Sequence, residues 1–547
     1  QHHGRTAEAQ PPGGNHNFGK LNPHRWERIL ATVERNCSYT YWTRLWLLLI
    51  LVTALSGCRY GPFETQSVII PSSTALLPND PLFAADQWYL DAIEAPAAWG
   101  LYAAVLENPI SISSSGLPQP ATVSVAVIDD GLDGTHPEFA GVLGIGGADL
   151  YQTRAISVPN GFSTDLATMD HGTHVAGLIA AVGDNGEGIA GVAYNGYGTV
   201  PVRIVPVRSL RNLSGSLADL IEGILYSAGE LSAPAEATIP PRVVNMSLGA
   251  SGLSAAEIAL LESAVAAAVN RDILLVAAAG NDGSADGVDW PARIPTVVAV
   301  GSVDRALPPA ESRRSSFSDY GPEIDLVAPG AESSGTGILS TVAGGGYARI
   351  GGTSMATPLV AGAAALLRSA NPALSAAEVR AILRDTALDL GSPGFDNETG
   401  WGLLQVEDAL RRALESPFGY SRARSTQVGR DGIPASELQG AFTTTLNRRS
   451  TLSAGDEGAA LPVILVYLER SADPREVLDD LGFSFRVAGN LPLGRLVYLE
   501  LNTPKNGAPT VELVTQVLED LATRPQVLLA TPDRTVVGEN SPLSFDH

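Results

Sequence analysis

The sequence predicts an α/β protein: an open, mostly parallel sheet wound with helices, followed by a smaller α+β unit. Three observations carry this. The runs Thr122–Ile128 and Leu274–Ala279 read as strands, the first alternating with β-branched residues and the second continuously apolar. Helical patterns lie between and after them, one opening at His171 and running through Val175, Leu178 and Ile179, another spanning Met355 to Arg368. Past residue 460 the order becomes strand, helix, strand, strand, helix, strand, a ferredoxin-like arrangement. In an open parallel sheet, ligand sites gather at the carboxyl ends of the strands, where Asp129 and Asn281 fall.

With 547 residues and 45% hydrophobic content, the chain has room for two or more domains and a large core. Its formal charge of −23 becomes −26 without the first 57 residues, which carry six basic and three acidic side chains. So acidic a surface disfavours nucleic acid, whose phosphates need clustered Lys and Arg, and no nucleic-acid partner is expected. Lysine occurs only at Lys20 and Lys505, a bias that genome composition explains. The two cysteines, Cys37 and Cys58, allow one disulfide at most, and their places around an export signal argue against it.

Residues 1–40 are polar, open on Gln, and read as a start-site extension or disordered segment without a function. Residues 41–57 read as a signal peptide: Arg44 precedes the apolar run Leu45–Leu55, too short for the roughly 20 residues that span a bilayer. The run ends in Leu55-Ser56-Gly57-Cys58, which resembles the lipobox of bacterial lipoproteins. That resemblance implies cleavage before Cys58 and acylation of its thiol. The expected location is extracytoplasmic, on a bacterial cell envelope, with the lipid as the only membrane contact. Residues 58–78 would be the tether.

Four segments inside residues 79–415 carry groups that acyl transfer needs. They are Val125-Ala-Val-Ile-Asp129-Asp-Gly, Asp170-His171-Gly-Thr-His-Val-Ala-Gly, Ala277-Ala-Ala-Gly-Asn281-Asp-Gly and Gly352-Thr-Ser354-Met-Ala-Thr-Pro358. Asp129 can orient a base, His171 can be that base, Ser354 can attack, and Asn281 can donate to an oxyanion. A helix start favours the neutral imidazole that a base requires. Ser354 falls at the start of its helix, where its own N–H can join Asn281, and Pro358 sits in the first turn, where a missing N–H costs little. No Gly-x-Ser-x-Gly elbow occurs, which argues against an α/β-hydrolase.

The order and flanks of these segments resemble the subtilisin-like serine proteases, or subtilases, from roughly Asn79 to Leu414. Asn79-Asp-Pro-Leu-Phe and Gln87–Trp99 resemble the opening of a thermitase-like catalytic domain. The resemblance implies a doubly wound sheet with helices on both faces and a serine endopeptidase acting on protein or peptide substrates through Asp129, His171 and Ser354. The rival reading is a non-catalytic surface lipoprotein with a degenerate protease fold. A monomer is expected. His174 and His136 keep structural readings, and Val105–Pro120 reads as a surface insertion.

The family binds peptide as an added strand. Ser214, Gly215 and Ser216 match its first binding segment, and Ser247, Leu248 and Gly249 its second, which also walls the specificity pocket. Asp289 falls where the family places the pocket floor; a basic preference or a solvated loop carboxylate are both open. Asp80, Glu138, Asp184 and Asn185 match a structural Ca²⁺ site, with Glu at 138 in place of the family's usual Asp. The other reading is a set of unrelated acidic loop residues.

Helix Glu407–Leu414 closes this domain, and residues 416–460 lack periodicity and read as a linker. Domain 461–540 is expected to contain strand 462–469, helix 473–481, strands 483–487 and 494–501, a helix striped by Val511, Val514, Val517, Leu518 and Leu521, and strand 527–530. Residues 541–547 are a tail. This domain resembles a subtilase propeptide, which normally precedes the catalytic domain, whereas only about 20 residues separate Cys58 from Asn79. The resemblance implies an intramolecular inhibitor or folding assistant, with Arg534–His547 in the cleft as a product-like strand. A linker of this length reaches about 37 Å, enough to return to the cleft. A separate docking module is the alternative.

Overall fold

The computed structural model describes residues 74–107, 120–416 and 463–538, apart from short stretches at 145, 152–155, 158–169, 198–199, 232–239, 332–336, 482, 492–493, 502–510 and 534. The expectations for 1–40, the signal peptide, Cys58, the tether before 74, the linker from 417 and the 541–547 tail lie outside the described residues.

The larger layer is an eight-stranded sheet. Its strands are β1 (Val123–Asp129), β2 (Ala148–Asp149), β3 (Ile156–Ser157), β4 (Val202–Arg208), β6 (Pro241–Met246), β8 (Leu274–Ala278), β9 (Val298–Asp304) and β10 (Leu326–Ala331). Two short strands, β5 (Ser214–Ser216) and β7 (Leu248–Gly249), stand apart from it. The sheet order is β10-β9-β8-β6-β1-β4-β2-β3, parallel throughout except for the edge pair β2–β3. β1 and β8 are buried along their whole length, as strands covered on both faces must be, and this is why β8 reads as a continuous apolar run.

Helices α1 (Asp170–Ala180) and α4 (Thr353–Ala370) pack on each other and on β1 and β4, while α2 (Leu217–Ser227) and α3 (Ala255–Val269) pack together on β1, β6 and β8. Helices α2 and α3 each begin in a capping box, Ser216 with Asp219 and Ser254 with Glu257, which satisfies their first free N–H groups. Every residue of α4 is buried, so it is a core helix rather than an amphipathic one. The doubly wound α/β fold is as expected.

Boundaries move by a few residues. β1 runs one residue past the predicted end and takes in Asp129, which keeps its expected place at the carboxyl end of the strand. The predicted Val105–Pro120 insertion starts late, because Val105–Glu107 finishes the helix Ala95–Glu107. The predicted helix 473–481 is α-helical only over Pro474–Leu478 and tightens to a 3₁₀ turn at Asp479–Leu481. The predicted strand 483–487 extends to Leu491 past a bulge between Val487 and Gly489, a break in register that hides the continuation from a period-two reading.

A hairpin, β11 (Ile338–Val342) with β12 (Gly346–Ile350), leads into α4. The C-terminal unit holds β13 (Val463–Glu469), β14 (Ser484–Leu491), β15 (Gly494–Glu500) and β16 (Val527–Pro532) in the antiparallel order β14-β15-β13-β16, which is the ferredoxin-like order. Its strands alternate as a two-sided sheet requires. Ile464, Val466, Leu468, Val497 and Leu499 pack on Val514, Val517 and Leu521 of its own helix. Leu465, Tyr467, Leu496, Tyr498 and Leu529 belong to the core of the larger layer. A last strand, β17 (Thr535–Gly538), leaves this unit and pairs elsewhere.

Candidate active site

Asp129 ends β1 at the carboxyl edge of the sheet and is fully buried. Its Oδ1 lies 2.8 Å from His171 Nδ1 and also accepts the Asp130 N–H at 2.8 Å. His171 is the second residue of α1, and α1 can approach β1 only because the next residue is glycine. A Cβ at Gly172 would fall 2.1 Å from the Gly131 carbonyl oxygen and 3.1 Å from Asp129 Cβ. The Gly172 N–H donates to Asp130 Oδ1 at 2.8 Å. Among the described residues, Asp129 Oδ2 and His171 Nε2 are buried without a hydrogen-bond partner.

Electrostatics at His171 differ from the sequence expectation. Burial pulls the imidazole down, but the Asp129 carboxylate, with Asp130 behind it, outweighs burial and holds His171 above its ordinary value. A charge in direct contact exceeds the partial charge at a helix terminus, so the dipole argument for a neutral ring gives way. Asp130 goes the other way: burial, then the neighbouring Asp129 charge, push it well above the usual carboxylate range. Asp130 and its clamp on Gly172 were missed from sequence, although the Asp-Asp-Gly triplet held the clue.

Ser354 is the second residue of α4, after Gly352, whose φ of 149° favours glycine and makes the sharp entry. The serine is buried, and its hydroxyl donates to the Ser247 carbonyl at 3.1 Å. The contact is reciprocal, since the Ser247 hydroxyl donates to the Ser354 carbonyl at 2.8 Å and accepts from Asn245 Nδ2 at 3.0 Å. Asn281 lies just beyond β8. Its Oδ1 accepts the Thr353 N–H at 2.9 Å and bonds the Thr353 hydroxyl at 3.1 Å, which leaves the NH₂ as its donor end. Thr353 and Asn245 therefore position the site, and neither was singled out from sequence; both lie within two residues of groups that were.

The predicted binding segments flank one strand. Thr535, Val536 and Val537 of β17 pair antiparallel with Ser216, Gly215 and Ser214, and Val537 and Gly538 pair antiparallel with Gly249 and Leu248. Asp289 is half-buried; its N–H donates to Ala279 O at 2.7 Å, and a Cβ on Gly280 would meet its carboxyl carbon at 3.3 Å. Its charge adds to the effect of burial on Asp319, which is pushed up to about 6.

His174 and His136 are structural, as expected. Burial, reinforced by His171, lowers His174 to about 3, and the neutral ring's Nε2 lies 3.1 Å from the Ile338 and Ala348 carbonyls. His136 Nε2 lies 2.9 Å from Gly346 O, and its Nδ1 accepts the Glu138 N–H.

The four residues assigned to calcium meet, but not as a cation cage. Asp80 accepts the backbone N–H groups of Asp184 at 2.7 Å and Asn185 at 3.2 Å, while Asp184 Oδ1 accepts the Asn79 N–H at 3.2 Å. Glu138 Oε1 accepts the Ile189 N–H and the Tyr347 hydroxyl, both at 2.8 Å, and its Oε2 accepts Asn185 Nδ2 at 3.3 Å. Calcium requires six to eight oxygen lone pairs aimed at one point. Here the lone pairs face hydrogens, and Asn185 presents its NH₂ to Glu138. Burial pushes the Glu138 carboxyl up to about 7. As arranged, these residues do not fit the ion, and among the described residues no cluster of three or more His, Cys, Asp or Glu is placed to hold a metal.

Comparison with known proteins agrees with this geometry. Residues 121–402 match the model of the subtilase family. The chain is 37% identical over 324 residues to Subtilisin Savinase of Lederbergia lenta, covering 59% of this chain and 98% of that protein. It is 40% identical over 271 residues to a thermophilic serine proteinase of a Bacillus species, covering 49% of this chain and 57% of that protein. Among solved structures, a protease from Pseudoalteromonas arctica superposes with a TM-score of 0.50 at 30% identity, covering 61% of this chain and 99% of that one.

Proposed function

This chain belongs to the subtilase family and is a serine endopeptidase, and from that premise we propose that Ser354, His171 and Asp129 are its catalytic triad. The reading rests on one observation above all. Asp129 holds His171 through Nδ1 at 2.8 Å, and the opposite ring atom, Nε2, has no partner among the described residues. A base needs that free lone pair.

Catalysis then proceeds by acyl transfer. The Ser354 hydroxyl turns from the Ser247 carbonyl to His171, gives its proton to Nε2 and attacks the substrate carbonyl carbon. Asp129 keeps the Nδ1–H tautomer and stabilises the imidazolium. The negative oxygen of the tetrahedral intermediate is met by the Asn281 amide and the Ser354 N–H at the start of α4. Collapse expels the amine, which takes the proton from His171. Water, deprotonated by the same imidazole, resolves the acyl-enzyme. Ser354→Ala should abolish casein hydrolysis to near background; wild-type turnover by that variant would refute the assignment.

Two further parts of the reading concern the envelope and the metal. The Leu55-Ser56-Gly57-Cys58 segment supports an acylated Cys58 and an extracytoplasmic, lipid-anchored enzyme. Cys58→Ser should then shift the protein from the membrane to the soluble fraction and lose incorporated palmitate; unchanged partitioning would dismiss the anchor. Subtilisins generally bind calcium, but the donors around Glu138 support a different arrangement here, in which the hydrogen-bonded Glu138 stands in for the ion.

A further inference from the structure

We infer that Asp319 is the positioning residue of the oxyanion donor, a buried carboxylate that grips the chain on both sides of Asn281 and so fixes where the Asn281 amide stands. The inference rests on the proposed role of Asn281 and deepens it, because it names what holds that donor in place.

An oxyanion donor has two parts to fix, its amide head and the backbone that carries it. Thr353 holds the head through Asn281 Oδ1. The backbone of Asn281 lies in the turn that leaves β8, and there Thr353 reaches only Gly280, whose N–H donates to its hydroxyl at 3.4 Å. Asp319 holds the rest of the turn. Its own N–H donates to the Gly280 carbonyl at 3.0 Å. Its Oδ1 accepts the Asp282 N–H at 3.1 Å and the Ser284 N–H at 2.6 Å. The residue before Asn281 and the residue after it are therefore bonded to one side chain and its backbone. Asp319 is only 2% exposed, so these charge-assisted bonds are shielded from water. The segments on either side run together: Phe317 O accepts the Gly283 N–H at 2.6 Å, and the Tyr320 N–H donates to Ser284 O at 3.0 Å.

The turn is shaped to receive this carboxylate. Gly280 has a φ of 112°, and a Cβ there would fall 2.1 Å from Asp319 Oδ2. Only glycine lets the carboxylate close against the chain at that point. The charge is not there for stability. Burial, then the charges of Asp289 and Asp282, push Asp319 up to about 6 against the pull of the Ser284 and Asp282 N–H groups. An acid raised in this way costs the fold stability above that pH, and a group kept at such a cost marks a functional site. The gain lies in catalysis: an oxyanion donor works by standing in place before charge develops, and a displacement of about 1 Å costs up to about 10²-fold in rate.

A double-mutant cycle between Asp319→Ala and Asn281→Ala tests this, with kcat and KM read on a peptide anilide. Asp319→Ala should lower kcat about tenfold and leave KM within about twofold, because the donor is misplaced while substrate binding is not. Asp319→Asn keeps an acceptor for both N–H groups and should recover most of the lost kcat. Asn281→Ala alone should cost about 10²–10³ in kcat, the usual loss of an oxyanion donor. Adding Asp319→Ala to Asn281→Ala should cost nothing further, because the donor that Asp319 positions is already gone. The full tenfold loss in both backgrounds, an unchanged kcat in Asp319→Ala, or a change confined to KM overturns the inference. Should Asp319→Ala fail to fold, Asp319→Ser carries the same cycle with the same expected outcomes. Asn281→Ala also separates the two proposals: wild-type kcat in that variant refutes the oxyanion role itself, whereas a slow Asn281→Ala beside an additive Asp319→Ala refutes only the positioning role.

Discussion

A proton on His171 switches the proposed chemistry off, so the pH profile reads the Asp129 contact directly. The imidazole is held above its ordinary 6.5 by Asp129 and Asp130 against the effect of burial. The neutral form acts as base, and activity is therefore lost as pH falls through that raised value. The acid limb of kcat/KM is expected to have its midpoint above 6.5; a midpoint at or below 6.5 would mean that burial wins and the carboxylate contact is weaker than it stands. The same shift has an opposite sign for folding. Protonated His171 gains from its partner, so this contribution to stability is complete below the unfolded value and fades as pH rises through the folded one. The two residues most legible in sequence, His171 and Ser354, were legible because each sits in an eight- or seven-residue context that few other structures need. The roles of Asn245 and Thr353 were not, since a hydrogen bond between side chains far apart in the chain leaves no periodic trace.

At the scale of elements, the loop that follows α1 and the hairpin β11–β12 are tied together around Glu138. Val182 N–H donates to the Glu138 carbonyl, Ile189 N–H to its carboxylate, and Tyr347 of β12 reaches the same carboxylate. The residue types matched to a cation stand here as a hydrogen-bonded cluster, in which Glu138 accepts from Ile189, Asn185 and Tyr347. The partner that completes the cluster, Tyr347, lies 209 residues from Glu138 in the chain, which is why position matching alone pointed to an ion. If Glu138 already has its donors, removing divalent ions costs the fold nothing. Chelator should move Tm by less than about 2 °C, and a drop of many degrees, restored by added calcium, would return the ion to this loop. Strand and helix types were read correctly from period and composition, whereas ends shifted wherever a helix tightened or a strand bulged, as at Asp479–Leu481 and Val487/Gly489.

Across the whole molecule, two layers share one core. The sheet of the C-terminal unit turns Ile464, Val466 and Leu468 to its own helices and Leu465 and Tyr467 to the larger layer, so the strict alternation in β13 encodes both partners at once. Period and composition past residue 460 foretold this unit's strands and helices. The register of the last strand, β17, and the unit's anchors at Ala218 and Glu222, arise only when the two layers meet. The result is a chain in which Ser354 bonds Ser247 while the next residue, Leu248, pairs with Gly538 of the C-terminal strand.

The proposed triad of Asp129, His171 and Ser354 is tested most directly by a fluorophosphonate, which reacts with an activated serine, followed by peptide mapping in the wild-type chain and in His171→Ala. One adduct, on Ser354, is expected in the wild type, with labelling slowed at least about a hundredfold in His171→Ala. An adduct on a different serine, or equal labelling of the two proteins, would contradict the account.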